Sequence, residues 1–303
     1  MRWGDHGSHI EIYPPQEFSF AECMVFLGRS QEEVLHRLKD GFLYKLLLIE
    51  NEMILVKISE SNGNLKVEFP LDGETLSLAK CEQVVTYIEE WFDLHTALDK
   101  FYHMANEDRV LKGIVNKYYG LRKIGIPDLF EALTWAIMGQ QINLSFAYLL
   151  KKRFVERYGR SLMFEGETYW IYPTSVEIAN LNVEDLRNLQ FTTRKAEYII
   201  GLAKTLETDD MTKERLKKLE YHDLHTQLLK IRGVGAWTAD YVIMKCLHQN
   251  SAFPVADVGL HNALKFQLGL KQKPTIHEIK ALATNWEGWQ AYATFYLWRS
   301  LYD

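Results

Sequence analysis

The chain has 303 residues, 47% of them hydrophobic and 25% charged, which is the composition of a globular protein with room for two or three domains. It contains no apolar run of 18 residues, and its polar N-terminus lacks a signal-peptide core, so we expect no membrane association and a cytoplasmic protein. Cys23, Cys81 and Cys246 lack metal-site spacing, which predicts buried free thiols and no metal centre.

The net charge of −5 is distributed unevenly along the chain. Residues 1–110 carry 10 Lys/Arg and 20 Asp/Glu, whereas residues 111–303 carry 25 and 20. Only the second part therefore has the net positive charge that a phosphate-binding surface requires. An ordinary solvated surface would account for the difference in charge between the two parts as well.

The first 95 residues are predicted to form an α+β domain around an antiparallel sheet. Apolar runs at Tyr44–Ile49 and Met53–Ile58 predict two strands. The Asn62-Gly63 pair predicts a tight hairpin before a third strand at Leu65–Phe69. We also expect a short helix at Ser30–Lys39.

From about residue 96 to residue 303 the hydrophobic period becomes helical, which predicts a two-lobed helical region. Capping patterns at Thr174, Asn182 and Thr275 predict helix starts, and Asn143 is expected to cap another. The predicted helices are 127–138, 143–158, 193–206, 222–231, 236–247 and 286–301. The fold class is thus mainly α with an N-terminal α+β domain.

The most informative segment is the Ile231-Arg232-Gly233-Val234-Gly235 turn between two apolar helices, at about residues 222–248. This pattern is typical of a helix–hairpin–helix element, in which glycines let the backbone approach a phosphate and helix N–H groups point outward. Asp257 follows about twenty residues later, at the predicted start of another helix.

With four further segments, this order resembles the helix–hairpin–helix DNA glycosylase superfamily, most closely its bacterial DNA-3-methyladenine glycosylase II branch. The four segments are Gly139–Asn143, Arg194–Ile199, Phe253–Leu260 and Trp289–Trp298. The resemblance covers about residues 95–303 and implies a glycosylase helical core, to which the N-terminal sheet adds a small domain. It also implies removal of alkylated purines from duplex DNA in base excision repair.

The resemblance makes Asp257 the catalytic carboxylate, because breaking an N-glycosidic bond builds positive charge on the deoxyribose. From local sequence alone Asp257 is better explained as the cap of its helix, and the two roles are compatible.

The resemblance places Trp237, Tyr241 and Trp298 along the pocket for the flipped base. Taken alone, Trp237 and Tyr241 also fit a helix core, since they are one turn apart. Bifunctional relatives carry a Schiff-base lysine where this chain has Trp237, so the resemblance implies hydrolysis without strand cleavage.

Gln141, or else Gln140, aligns with the wedge that fills the gap left by the flipped nucleotide, although a polar turn explains both residues as well. Gly233, Val234 and Gly235 would bind a phosphate through backbone amides, with Arg194 and Lys195 as further candidates. A solvated helix face would account for Arg194 and Lys195 equally well. No catalytic metal or cofactor is expected, apart from a monovalent cation at the hairpin when DNA is bound.

The expected partner is double-stranded DNA containing alkylated bases, bound by a monomer associated with the bacterial nucleoid. Two alternatives stay open at this point. One is a glycosylase for oxidised or deaminated bases, and the other is a non-catalytic helix–hairpin–helix module that only binds DNA.

Overall fold

The computed structural model describes residues 2–71, 76–208 and 211–302. Its strands are β1 (Trp3–Asp5), β2 (His9–Ile12), β3 (Arg37–Lys39), β4 (Phe42–Ile49), β5 (Glu52–Ser61), β6 (Asn64–Glu68), β7 (Arg160–Phe164) and β8 (Glu167–Ile171). Its helices are α1 (Phe20–Leu27), α2 (Leu78–Trp91), α3 (Asp99–Glu107), α4 (Lys112–Lys117), α5 (Leu129–Gly139), α6 (Leu144–Tyr158), α7 (Ser175–Ala179), α8 (Val183–Arg187), α9 (Thr193–Thr208), α10 (Lys213–Leu216), α11 (Tyr221–Leu229), α12 (Ala236–Lys245), α13 (Val258–Gln267), α14 (Ile276–Leu282) and α15 (Gln290–Arg299), with a 3-10 helix at Ala283–Trp286.

The first six strands form one antiparallel sheet in the order β1-β2-β6-β5-β4-β3. Two-residue turns connect its central strands, at Glu50-Asn51 and at Asn62-Gly63, and all four residues have positive φ. Such turns match the twist of the strands they join, which is why Asn-Gly is a strong hairpin signal. The predicted strands and hairpin are therefore confirmed.

The helix predicted at Ser30–Lys39 is wrong. The Glu33 carboxylate accepts hydrogen bonds from the backbone N–H groups of Val34 and Leu35, at 2.9 and 2.8 Å. Such local bonds compete with helical ones. Beyond them the chain forms β3, which pairs with β4 across a turn at residues 40–41.

Neither α1 nor the strands β1 and β2 were predicted from the sequence. The β7–β8 hairpin was missed as well, and its Tyr169 packs on Tyr44 of β4 with ring centres 5.8 Å apart. These elements are short, so their periodicity is weak.

In the helical part of the chain, most of the predicted helices begin at about the residues that the sequence predicts. Asn143 caps α6, and the three predicted capping boxes, at Thr174, Asn182 and Thr275, are all present. The last predicted helix is shorter than expected, because Gly288 has a positive φ of 77° and separates the 3-10 helix from α15.

A hydrophobic core extends from the sheet to the last helix. It includes Ile10 of β2, Ile88 of α2, Leu133 of α5 and Tyr292 of α15, all fully buried. The three cysteines are free and buried, as predicted. Within the described ranges, no helix combines the length and hydropathy needed to cross a bilayer.

Candidate active site

The turn between α11 and α12 brings two helices together through a glycine that tolerates no side chain. Gly233 has φ of +95°, and a Cβ atom there would lie 2.4 Å from Cγ of Tyr198. Gly235 then begins α12 without a side-chain cap, which leaves the first N–H groups of this helix without a side-chain acceptor. An uncapped helix start is a ready site for an anion.

Asp257 stands at the N-terminus of α13 and is the most densely hydrogen-bonded group of the site. Its Oδ1 accepts from the Leu260 backbone N–H and from Trp298 Nε1, both at 2.8 Å. Its Oδ2 accepts from Trp237 Nε1 at 3.0 Å. The predicted cap is confirmed, and the same carboxylate is held between two indoles from distant parts of the chain. Two bonds occupy Oδ1, whereas Oδ2 keeps a lone pair for another group.

Gly259 makes this arrangement possible. A Cβ atom at residue 259 would lie 2.9 Å from Oδ1 of Asp257 and 3.2 Å from Nε1 of Trp298. The absence of a side chain therefore lets α15 deliver its tryptophan to the start of α13. Sequence reasoning assigned no role to this glycine.

The three predicted pocket aromatics are brought together. The Tyr241 ring centre lies 5.5 Å from that of Trp237 and 6.0 Å from that of Trp298. These separations are typical of direct ring contact, about 4.5–7 Å, so Tyr241 packs against both tryptophans. The hydroxyl of Tyr241 accepts from Trp135 Nε1 at 2.8 Å, and burial raises the pKa of this tyrosine. Trp135 was not predicted as part of the site.

Other aromatics of the last helices belong to the core. Trp286 donates to Asp108 at 3.0 Å, Tyr292 donates to Asp93 at 2.7 Å, and Tyr296 donates to the Leu121 carbonyl at 3.0 Å.

The two glutamines of the predicted wedge differ sharply. Gln140 Nε2 donates to the Gly233 carbonyl at 2.8 Å and to Thr238 Oγ1 at 3.0 Å. This glutamine therefore fastens α5 to the hairpin and does not serve as a wedge here. Gln141 is exposed and has φ of +56°, a left-handed conformation that favours glycine.

Two of the predicted phosphate contacts are corrected. Lys195 is 8% exposed and donates to the Met138 carbonyl at 2.7 Å, so it stabilises the end of α5. Burial also lowers its pKa. The Val234 N–H donates to the Ile231 carbonyl at 3.0 Å and is used inside the turn. Arg194 lies exposed at the start of α9.

Two family models match the chain. The model of the HhH-GPD superfamily base excision DNA repair proteins matches residues 134–290, which contain the hairpin and Asp257. The model of the 8-oxoguanine DNA glycosylase N-terminal domain matches residues 17–133.

One curated relative is a DNA-3-methyladenine glycosylase of Bacillus subtilis, 43% identical over the full length of both chains. The structure of a 3-methyladenine DNA glycosylase from Archaeoglobus fulgidus has a TM-score of 0.82 at 23% identity, over 95% of this chain and 97% of that one. An 8-oxoguanine glycosylase/lyase of Clostridium acetobutylicum, solved with double-stranded DNA, has a TM-score of 0.77 at 18% identity, over 99% and 98%. The last two likenesses concern the fold.

Proposed function

Because the chain belongs to the HhH-GPD superfamily of base excision DNA repair proteins, we propose that it is a monofunctional DNA glycosylase for alkylated purines of the 3-methyladenine type. The observation that carries this proposal is the Asp257 carboxylate, held by two indoles beside Tyr241. The 43% identical relative, which is named a DNA-3-methyladenine glycosylase, supports the choice of substrate.

The reaction is a hydrolysis in which Asp257 stabilises positive charge on the deoxyribose. The C1′–N9 bond breaks, its electron pair leaves with the base, and C1′ gains the character of an oxocarbenium ion. The carboxylate is already oriented by three donors, so it needs no rearrangement as charge develops. The free lone pair of Oδ2 is the position at which water can be held for attack on C1′. The cationic purine leaves as a neutral base, so the proton of that water is released to solvent.

Binding of an alkylated purine follows from the aromatic faces. N3- and N7-alkylated purines carry a formal positive charge, and an indole or phenol face attracts a cation by about 0.5–2 kcal/mol. The charge also weakens the glycosidic bond. Trp237, Tyr241 and Trp298 would therefore select such bases with few hydrogen bonds.

The positions of the lysines near the hairpin support hydrolysis without strand cleavage. Trp237 occupies the helix position that faces Asp257. Lys245 is buried, lies 4.7 Å from the Phe295 ring centre and donates to the Ile124 carbonyl. Lys230 ends α11 and donates to Gln227 at 3.1 Å. Each ammonium group is thus bound to another group of the protein.

Duplex DNA would contact the uncapped start of α12 and the exposed Gln141. Gln141 is our candidate for the residue that fills the gap left by the flipped nucleotide. The hairpin carbonyls are candidates for a monovalent cation bridging to phosphate in the complex. Every group of the site comes from one chain, so a monomer suffices, and we place the enzyme with its substrate in the bacterial nucleoid.

Release of free bases from dimethyl-sulfate-treated duplex DNA tests the proposal. We expect 3-methyladenine in the supernatant by chromatography, and no crosslink to DNA when borohydride is added. A borohydride crosslink would show a Schiff base and refute the monofunctional reaction.

A second candidate is a glycosylase for oxidised purines, favoured by the match of residues 17–133 to the 8-oxoguanine DNA glycosylase N-terminal domain. Release of 8-oxoguanine from a defined duplex, with no release of methylated bases, would select this candidate. Binding of abasic DNA without release of any base would instead indicate a non-catalytic module.

A further inference from the structure

Residues 253–257 lead into α13 and carry the Asp257 carboxylate at their end, and we call them the catalytic segment. They lie outside the helices and strands, and two turns bind their backbone. The Val255 N–H donates to the Phe253 carbonyl at 2.7 Å, and the Asp257 N–H donates to the Pro254 carbonyl at 2.8 Å. Two successive carbonyls are therefore used inside the segment, whereas the next one, that of Val255, is bound from outside it.

His261 of α13 binds the Val255 carbonyl. Its Nε2 lies 2.9 Å from the Val255 oxygen, and the side chain is half-buried. A carbonyl oxygen only accepts hydrogen bonds, so Nε2 carries a hydrogen and donates it. The bond runs from one helical turn after Asp257 back to two residues before it. It therefore spans the point at which the catalytic segment becomes helix.

The backbone of Asp257 is the hinge at this point. Its φ and ψ are −68° and 125°, an extended conformation, and α13 begins at the next residue. Rotation about these two bonds would turn the catalytic segment relative to α13 and displace the carboxylate from the indoles of Trp237 and Trp298. The His261 backbone N–H donates to the Asp257 carbonyl at 3.0 Å, and its imidazole holds Val255 on the other side of the hinge. One residue thus restrains both sides of the catalytic aspartate.

The other end of the catalytic segment is fixed by groups that do not move with α13. The Phe253 ring packs edge-on against the fully buried Trp286, with ring centres 6.3 Å apart. Asp240 of α12 accepts a hydrogen bond from the Tyr221 hydroxyl. Burial raises the pKa of Asp240, while this hydroxyl, the nearby His225 and the Phe253 backbone N–H act in the opposite direction. The start of the segment is therefore anchored next to the hairpin helices, and His261 acts at its far end.

We propose that His261 is a positioning residue for base excision, because its bond to the Val255 carbonyl holds the catalytic segment in the shape that presents the Asp257 carboxylate to the deoxyribose. This inference rests on the proposed glycosylase function. His261 acts through Asp257 and needs no contact with the substrate. A carboxylate that is held in place before the reaction stabilises the developing positive charge without rearrangement, which is the property that the His261 bond protects.

Two amide substitutions separate the position of the donor from the loss of the imidazole. The side-chain nitrogen of glutamine is as many bonds from Cα as Nε2 of histidine, whereas that of asparagine corresponds to Nδ1. His261→Gln should therefore keep the bond to Val255, and His261→Asn should lose it. A displacement of about 1 Å at a reacting group costs about a hundredfold in rate. We expect His261→Asn to slow single-turnover release of 7-methylguanine by about tenfold to a hundredfold, and His261→Gln to stay within about threefold of wild type.

A second measurement follows the carboxylate without requiring activity. The indole N–H signals of Trp237 and Trp298 in a proton–nitrogen NMR correlation spectrum report their hydrogen bonds to Asp257. We expect both signals to shift in His261→Asn and to keep their positions in His261→Gln. His277→Asn, the same substitution at an exposed position of α14, is the matched control and should leave the rate and both signals unchanged. Urea unfolding of each variant shows whether the fold is kept.

A wild-type rate and unshifted indole signals in His261→Asn would overturn the proposal, and lower stability to urea with that result would show that the bond serves only the fold. Equal slowing by His261→Gln and His261→Asn would also overturn it, since the reaction would then need the imidazole itself. Wild-type enzyme that releases no base would refute the proposed function. In that case shifted indole signals in His261→Asn would still show that His261 positions the Asp257 carboxylate.

Discussion

Replacing Gly259 by alanine is expected to impair base excision without unfolding the protein. The added Cβ would lie 2.9 Å from Oδ1 of Asp257 and 3.2 Å from two atoms of the Trp298 indole, so one of these groups must move. The bond most exposed to this movement is the 2.8 Å contact between Trp298 Nε1 and the carboxylate. Hydrogen bonds to charged groups contribute about 1.5–3 kcal/mol, which corresponds to a loss of about tenfold to a hundredfold in rate.

Gly201→Ala is the matched control. Gly201 also lies within a helix, α9, but is exposed, and a Cβ there meets no atom within 4 Å. Alanine is favoured over glycine in helices by about 0.5–1 kcal/mol. We therefore expect Gly201→Ala to raise the free energy of unfolding slightly and to leave excision unchanged.

Single-turnover release of 7-methylguanine under saturating enzyme measures the effect, and urea unfolding measures stability. The reasoning predicts slow excision by Gly259→Ala with a free energy of unfolding within about 1 kcal/mol of wild type. Wild-type excision by Gly259→Ala would refute it, because the carboxylate would then not depend on the position of the indole.

Three further expectations concern DNA contact and stability. Gln141→Ala should weaken binding to abasic duplex without changing urea unfolding, whereas Gln140→Ala should lower the free energy of unfolding by about 1–3 kcal/mol, since it leaves the Gly233 carbonyl and Thr238 without their partner. Arg194→Ala should reduce the salt dependence of DNA affinity by about one phosphate contact, and Lys195→Met should not, since its ammonium is bound to a carbonyl inside the protein. Asp93→Asn should destabilise the protein at neutral pH. Burial alone would raise the pKa of Asp93, but the Lys123 ammonium and hydrogen bonds, one from Tyr292, hold it well below the usual range. The stabilising effect of a depressed pKa is present above the unfolded value of about 4 and is lost as pH falls below it, so urea unfolding of wild type and Asp93→Asn should converge in acid.

The sequence predicted the parts of the site that depend on local patterns. The glycines of the hairpin and the cap at Asp257 each have a signal within a few residues, whereas the pocket aromatics were placed only by the family resemblance. The order of the two motifs, with the hairpin followed by the acidic cap at Asp257, further narrowed the set of protein families that the sequence resembles.

Contacts between distant segments could not be predicted. Gln140 and Gln141 are adjacent and chemically identical, yet only the fold decides that Gln140 reaches the Gly233 carbonyl. Lys195 has the positive charge that a phosphate contact requires, but its ammonium group binds a carbonyl at the end of α5 in the interior.

The helix expected at Ser30–Lys39 does not form, and the reason is local. Its apolar spacing fits a helix, but the Glu33 side chain bonds to the two following backbone N–H groups and ends the helical path. Side-chain competition of this kind depends on the rotamer that one residue adopts, which hydrophobic periodicity does not record.

Excision of 7-methylguanine by Asp257→Asn, compared with wild type, tests the central claim most directly. Asparagine caps helices as well as aspartate does, so the start of α13 should be kept and urea unfolding little changed. Loss of the negative charge beside the developing oxocarbenium ion predicts a rate lower by about a hundredfold to a thousandfold, with abasic-DNA binding retained. A rate within a few-fold of wild type would contradict the account, since Asp257 would then be only the cap of its helix.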